Sequence, residues 1–258
     1  INEYFNELEG PLLTLIEEEA RGGVAQAINE AMKQVSSEVI FRTDCDSKLA
    51  PDAIRVAVSN LHDSSIGAVT GRQAEVLGGS QVEQDYRDIT SRNQILESHL
   101  DSTFICHGPC FAFNRDEFRP LSQDSLADDT EIGVQVRRSG SRVVMDPTIR
   151  FTESGTSNFG KRRTRKDRRA MGLVQLLVRN RDVLGRYGKY GRVVLPFNWW
   201  FMIFSPWLAM FTGIIATAAA MSSLGVTGLA FPALGLIFFL LGQRDQLGLI
   251  QPLYAVVD

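Results

Sequence analysis

Cysteine and histidine are scarce in this chain, with three of each in 258 residues. Cys45, Cys106 and Cys110 form no Cys-x-x-Cys pair and have no histidine at zinc spacing. That excludes a disulfide framework and a zinc ribbon, and it leaves free thiols of a reducing compartment. Repeats and low-complexity tracts are also missing, which excludes a stacked-repeat architecture. The chain lacks an initiator methionine and a secretory leader, and both ends read as cut, so a piece of a longer protein is expected. The largest gap is in charge. Residues 193–241 contain no Asp, Glu, Lys or Arg, which no solvated surface segment of that length would tolerate.

The charges that are present are segregated. Residues 161–192 hold twelve Lys and Arg against Asp167 and Asp182, while the whole chain is at −3. An acidic body, a basic collar and an apolar tail suit a membrane surface rather than nucleic acid. In the tail, residues 193–220 have Asn198 as their one strongly polar side chain and carry Trp199, Trp200 and Trp207 in their first half. They read as a transmembrane helix with an aromatic belt. A second uncharged run, 226–241, follows a Ser/Gly link, and LGLIQPLYAVV opens a third. A buried helical hairpin of a soluble protein is the competing reading. The collar mixes its charges with Met171, Val174, Leu177 and Val178, the pattern of an interfacial amphipathic helix. By the positive-inside rule, the body faces the cytoplasm.

The body alternates strand and helix patterns. PLLTLIEEE starts like a strand. VAQAINEAMKQV places apolar residues at helical spacing, and EVIFRT reads as the next strand. PDAIRVAVSNL follows as a helix with an early proline, and IGAVTGRQ as a strand. VEQDYRDITSRNQILESHL reads as a polar helix, and TFICHGPCFAF as a strand run kinked at Gly108-Pro109. SLADDTEIGVQVRRSG has Ser125 at the cap position and Gly140 past the end, and SRVVMDPTIRFTES closes the series as a strand. The expectation is an α/β layer fold, whose ligands gather beyond the carboxyl ends of the strands. Asp44 and Asp46 stand there, at the end of VIFRT. With sixteen Asp in the chain, about one Asp-x-Asp arises by chance. Position, more than the motif, makes these two candidate ligands for a hard cation. Asp128, Asp129 and Glu131 fall in the first turn of a helix, where a carboxylate is a candidate general base.

This order of parts resembles a membrane-bound family 2 glycosyltransferase with a partial GT-A nucleotide-diphospho-sugar transferase domain. RGGVAQAINEAMKQVSSEVIFRTDCDS is similar to its basic-glycine turn, its helix bearing Ala and Asn, and its strand ending in Asp-x-Asp. SLADDTEIGVQVRRSGSRVVMDP is similar to its acidic-pair helix, and RKDRRAMG to its Gln-x-x-Arg-Trp block ahead of the membrane. The resemblance implies a GT-A-like catalytic domain over 1–160 with the first strands missing, an interfacial segment over 161–192, and transmembrane helices over 193–258. It implies inverting transfer of a sugar from a nucleotide-diphospho-sugar to a lipid-linked or membrane-associated glycan acceptor. Asp46 and Asp44 would hold Mg2+ or Mn2+. Asp44, Asn29, Gly108 and Arg168 would contact the donor, with His107 and Asn114 nearby, and Asp129 would be the catalytic base. The sequence departs from the pattern in having Arg165 for the Gln, Arg169 for the Trp and Gly23 for a common Lys. Without that Trp, a processive polymer synthase is not implied. Two other functions compete. One is a phosphatase of haloacid dehalogenase type, which also uses Asp-x-Asp at a strand end. The other is a non-catalytic membrane scaffold.

Overall fold

The computed structural model describes Thr14, Ile16 and residues 22–77, 81–154, 159–244, 246–250 and 254. The strand expected over PLLTLIEEE and most of the third apolar run lie outside the described residues. Helix α1 (Val24–Gln34) leads to strand β1 (Val39–Arg42), then β2 (Ser47–Leu49), α2 (Ala53–Leu61), β3 (Ile66–Leu77) and α3 (Gln81–Leu100). After a 3-10 turn at Gly108–Cys110 come β4 (Phe111–Asn114), α4 (Asp128–Ser139), β5 (Arg142–Ser154) and α5 (Phe159–Arg179). The five strands form one mixed sheet in the order β1-β4-β3-β5-β2. The β3–β5 pair is parallel and the other pairs are antiparallel.

Both faces of the sheet are covered, and the period-2 alternation of strand side chains shows how. Val69, Ala112, Val144 and Phe151 point into a core closed by Ala53, Ala57 and Leu61 of α2. Their neighbours Ala68, Phe111, Phe113 and Val143 point the other way, against Ala25 of α1 and Ile132 and Val136 of α4. A sheet sandwiched in this way has apolar residues at consecutive strand positions, as the runs FAF and VVM do.

Two local expectations need correction. Helix α4 begins at Asp128 with Ala127 at its cap position, so Ser125 does not cap it. The Ser125 amide is instead held by the carbonyl of Ser122 in a turn. Gly140 does end α4, in the left-handed region at φ 108°. The collar helix α5 is amphipathic, but its apolar side faces the body. Leu173, Leu176 and Leu177 are buried with Phe104, Ala127 and Val134, while Met171 and Val178 are exposed. Gly172 allows the approach, since a Cβ there would come within 2.9 Å of the Leu126 backbone.

The chain then stays helical over Tyr190–Gln243, through α6 (Leu195–Trp199), α7 (Ser205–Leu224) and α8 (Ala230–Gln243). This stretch is long and apolar enough to cross a membrane, and its most apolar part is almost uncovered by the rest of the chain, unlike a core helix. Its first turns are two-sided. Tyr190, Val194 and Leu195 pack on the body, while Phe197, Trp200, Phe201 and Phe204 face outward. The helix breaks at Gly225 (φ 61°), and Gly228 packs on the Ala220 backbone, where a Cβ would approach to 2.5 Å. Helix α8 has 14 residues, about 21 Å of rise, short of a bilayer core of about 30 Å.

Candidate active site

Strand β1 ends at Arg42, and the chain turns back through residues 44–47, with the Ser47 amide bonded to the Asp44 carbonyl at 3.2 Å. The turn presents the carboxylates of Asp44 and Asp46 at the sheet edge, Asp44 half-buried and Asp46 exposed. Strand β2 then pairs with the end of β5, which sets Ser47 opposite Glu153. Glu153 therefore faces the same turn. Burial raises its pKa, Arg87 and Arg169 pull it down, and the charges of Asp44 and Asp46 push it up. These are hard oxygen donors whose fields repel one another, a set that suits a divalent cation. Among the described residues, no group of three or more His, Cys, Asp or Glu side chains stands at metal-binding spacing. A cation on Asp44 and Asp46 would therefore draw other ligands from water and a diphosphate, as Mg2+ commonly does.

Asp129 is presented by the first turn of α4. Its Oδ2 accepts the Gly108 N–H at 2.8 Å and its Oδ1 accepts the Thr130 N–H at 2.7 Å. Each oxygen keeps a lone pair for another partner. Burial raises its pKa and the neighbouring Asp128 adds to the rise, while Arg42, Arg169 and the Thr130 amide oppose it. Asp128 makes a close ion pair with Arg42. The same guanidinium covers Gly108, where a Cβ would sit 3.0 Å from Nη2. Arg42 thus ties the strand that delivers Asp44 to the helix that delivers Asp129.

His107 lies beneath this pair. Its Nε2 meets the Gln94 Oε1 at 3.0 Å, and the Gln94 amide nitrogen donates to the Ile105 carbonyl. The Gln94 oxygen is then the acceptor, which fixes the imidazole with its proton on Nε2. Burial, with Arg87 and Arg169 adding to it, pulls the His107 pKa down to about 3, so the ring is neutral at working pH.

The structure thus brings Asp44 and Asp46 to Glu153, and Gly108 next to His107 onto Asp129, with the charge of Arg169 acting on both groups. It does not gather the others. Asn29 spends both ends of its amide on the Leu121 backbone, at 3.0 and 2.7 Å. Arg168 and Arg169 are both exposed on α5, and it is the charge of Arg169 that acts on Asp129, His107 and Glu153. Asn114 ends β4 opposite Val39. Sequence reasoning missed Arg42, Arg87 and Glu153. Arg42 had a signal, a charge inside an apolar strand run just ahead of the acidic pair.

The profile described as "Glycosyltransferase like family 2" matches residues 4–172. The chain belongs to this family. The glycosyltransferase also resembles a solved structure, the mannosyltransferase PcManGT from Pyrobaculum calidifontis in complex with GDP-Man and Mn2+. The two share 26% identity with a TM-score of 0.74, over 95% of this chain and 68% of that one. No curated protein sequence matches the chain. The fold is therefore an α/β GT-A-like domain carrying a long apolar C-terminal helix that could span a membrane. The phosphatase and scaffold readings fall with the family assignment.

Proposed function

We propose that this glycosyltransferase moves a hexose from a nucleotide-diphospho-sugar to a hydroxyl of a lipid-linked or membrane-associated glycan, with inversion at the sugar carbon. The observation that carries the reading is Asp129, a raised-pKa carboxylate held by two backbone amides and sharing the field of Arg169 with Glu153, which the charges of Asp44 and Asp46 also reach. Asp129 takes the acceptor proton as the acceptor oxygen forms its bond to the anomeric carbon. The bond from that carbon to the diphosphate oxygen breaks on the opposite face, and the electron pair leaves with the nucleoside diphosphate. One displacement without a protein nucleophile gives inversion. Asp46 and Asp44 would hold Mg2+ or Mn2+, and the ion supplies charge neutralisation to the departing diphosphate. Arg169, whose charge acts on Asp129 and Glu153, would brace that group with Arg168 beside it, while the Gly108 amide is spent on Asp129.

The membrane assignment is supported by the exposed apolar stretch Tyr190–Gln243. Eleven of the twelve Lys and Arg of residues 161–192 precede it and Arg192 stands in its first turn, which supports a cytoplasmic catalytic domain. The turn at Gly225 favours a single crossing followed by a shorter, partly inserted helix.

The test uses the full-length protein in nanodiscs, a panel of GDP- and UDP-sugars that begins with GDP-mannose, and Mn2+ or Mg2+. Metal-dependent release of nucleoside diphosphate, lost in both Asp46→Ala and Asp129→Asn, is the expected result. Release that survives Asp129→Asn at full rate would remove Asp129 from the base role.

A further inference from the structure

The segment 103–108 joins two distant parts of the molecule. At its far end the Gly108 amide orients Asp129. Between the ends it is pinned at each residue. The Ile105 carbonyl accepts from Gln94, the Cys106 amide donates to Thr130 Oγ1, and the His107 amide donates to Thr70 Oγ1. At its near end Glu97 of α3 takes hold: Oε2 accepts the Thr103 hydroxyl at 3.0 Å and the Phe104 N–H at 2.9 Å. The other oxygen, Oε1, accepts the Asn198 side-chain amide at 2.7 Å. Asn198 is the strongly polar residue stranded in the apolar run, and it is 5% exposed.

One turn on, just past the end of α3, Asp101 repeats the pattern. Its Oδ2 accepts the Tyr190 N–H at 3.1 Å, and its Oδ1 lies 3.2 Å from Arg137 Nε. Arg137 in turn donates to the Tyr187 carbonyl at 3.0 Å. The chain there is held in the left-handed region at Gly185, Tyr187 and Gly188, a conformation that Tyr187, as a non-glycine, adopts at a cost. The end of α3 thus grips the root of the apolar helix at two points, and Phe104 packs on the same helix beside Val194 and Leu195. An isolated carboxylate buried here would be expensive, and burial does raise the Glu97 pKa. A merely structural contact at this place could be apolar at less cost.

We propose that Glu97 is a positioning residue that couples the membrane helix to the active site: its hydrogen bond to Asn198 sets the path of residues 103–108 and thereby the aim of Asp129. The coupling rests on the role given to Asp129 above. Movement of the helix root in the bilayer would be passed through Glu97 to the Gly108 amide.

The experiment uses the full-length protein in nanodiscs with GDP-mannose and Mn2+ as the probe. Variants are Asn198→Leu, Glu97→Gln, and the exchanged pair E97Q/N198D. In the exchanged pair the side-chain amide introduced on α3 accepts the Phe104 N–H through its oxygen. Its nitrogen donates to the carboxylate introduced on the apolar helix. Backbone hydrogen exchange over residues 104–108 and steady-state kinetics are both read. Asn198→Leu and Glu97→Gln should each speed exchange over 104–108 and lower kcat about tenfold, the scale of one lost hydrogen bond to a charged group. KM for GDP-mannose should stay within about twofold, and the exchanged pair should recover most of both losses. Unchanged exchange at Gly108 in Asn198→Leu overturns the coupling. So does a loss spread over the whole domain that the exchanged pair does not recover. A wild type without turnover counts against the transferase reading, while exchange at Gly108 still decides the coupling.

Discussion

Replacing Arg42 with methionine removes the guanidinium and keeps most of the apolar stem. The side chains of Arg42 and Asp128 are only 18% and 14% exposed. Breaking a buried pair by removing one partner costs about 3–5 kcal/mol, because the other charge is left without compensation. Residual exposure of both groups puts the expected loss near the lower end, about 3 kcal/mol. For a domain of this size that is a fall of about 6–12 °C in Tm. Adding Asp128→Leu removes the stranded carboxylate, and the double variant should regain most of the loss, since a well-packed apolar pair replaces a buried ion pair at little cost.

The sign of the pH dependence follows from Asp129, whose pKa lies above its unfolded value of about 3.9. The folded chain then binds the proton more tightly than the unfolded chain. Stability falls as pH rises from the ordinary carboxylate value through the raised one, and the cost is complete above it. Arg42 opposes that rise, so its removal raises the Asp129 pKa further and deepens the cost at neutral pH. The Tm deficit of Arg42→Met should be larger at pH 8 than at pH 5, and the acid limb of kcat/KM should move to higher pH. Thermal unfolding of the purified full-length protein at the two pH values, with kcat/KM profiles of both enzymes, checks this. A Tm deficit under about 2 °C, or a double variant no better than the single one, would refute the account of the pair.

Asp129→Asn should lower kcat about 10²–10⁴-fold, the usual worth of a general base, without a matching loss of folded protein. Circular dichroism melts beside the kinetics separate the two effects. The acid limb of the wild-type kcat/KM should lie above the ordinary aspartate range, because burial and Asp128 both raise the Asp129 pKa. His107 should contribute no limb between pH 6 and 7, since its ring stays neutral well below that range. Imidazole chemical shifts that do not move from pH 5 to 8 would confirm it. Gly108→Ala should lower kcat more than stability, because the added Cβ would press on the Arg42 guanidinium that holds Asp128.

The fold was legible in the sequence wherever a period could be counted. Helices α1 and α2 and strands β1, β3 and β5 lie close to where their apolar spacing puts them, because burial on one or two faces writes itself into the chain. The Asp-x-Asp turn was legible for the same reason: a strand must end where its apolar run ends. The partners of that turn were not. Glu153 meets Ser47 through a strand pairing over a hundred residues of separation, and nothing in FTES marks the register. Arg169 and Arg168 are adjacent in sequence, and only the rotation of α5 about its axis decides which charge turns toward Asp129. That rotation is fixed by Leu173, Leu176 and Leu177 seeking Phe104.

Asn198 carries the argument one step further. As a sequence feature it is a flaw in a membrane helix, costly in hydrocarbon. In the structure it donates to the Val194 carbonyl of its own helix and to the Glu97 carboxylate on α3, the helix that also pins the segment leading to Gly108. Charges and amides inside apolar stretches, Arg42 in β1 and Asn198 in the tail, turn out to mark the same thing. Each is placed where an apolar residue would have been cheaper, and each joins two elements that, under the proposed transfer, must keep one geometry for Asp129 to face the acceptor. Under this reading the two defects in the hydrophobic pattern are the best guides to which contacts matter for transfer. The reading stands only if both Arg42→Met and Asn198→Leu change kcat more than they change the binding of GDP-mannose.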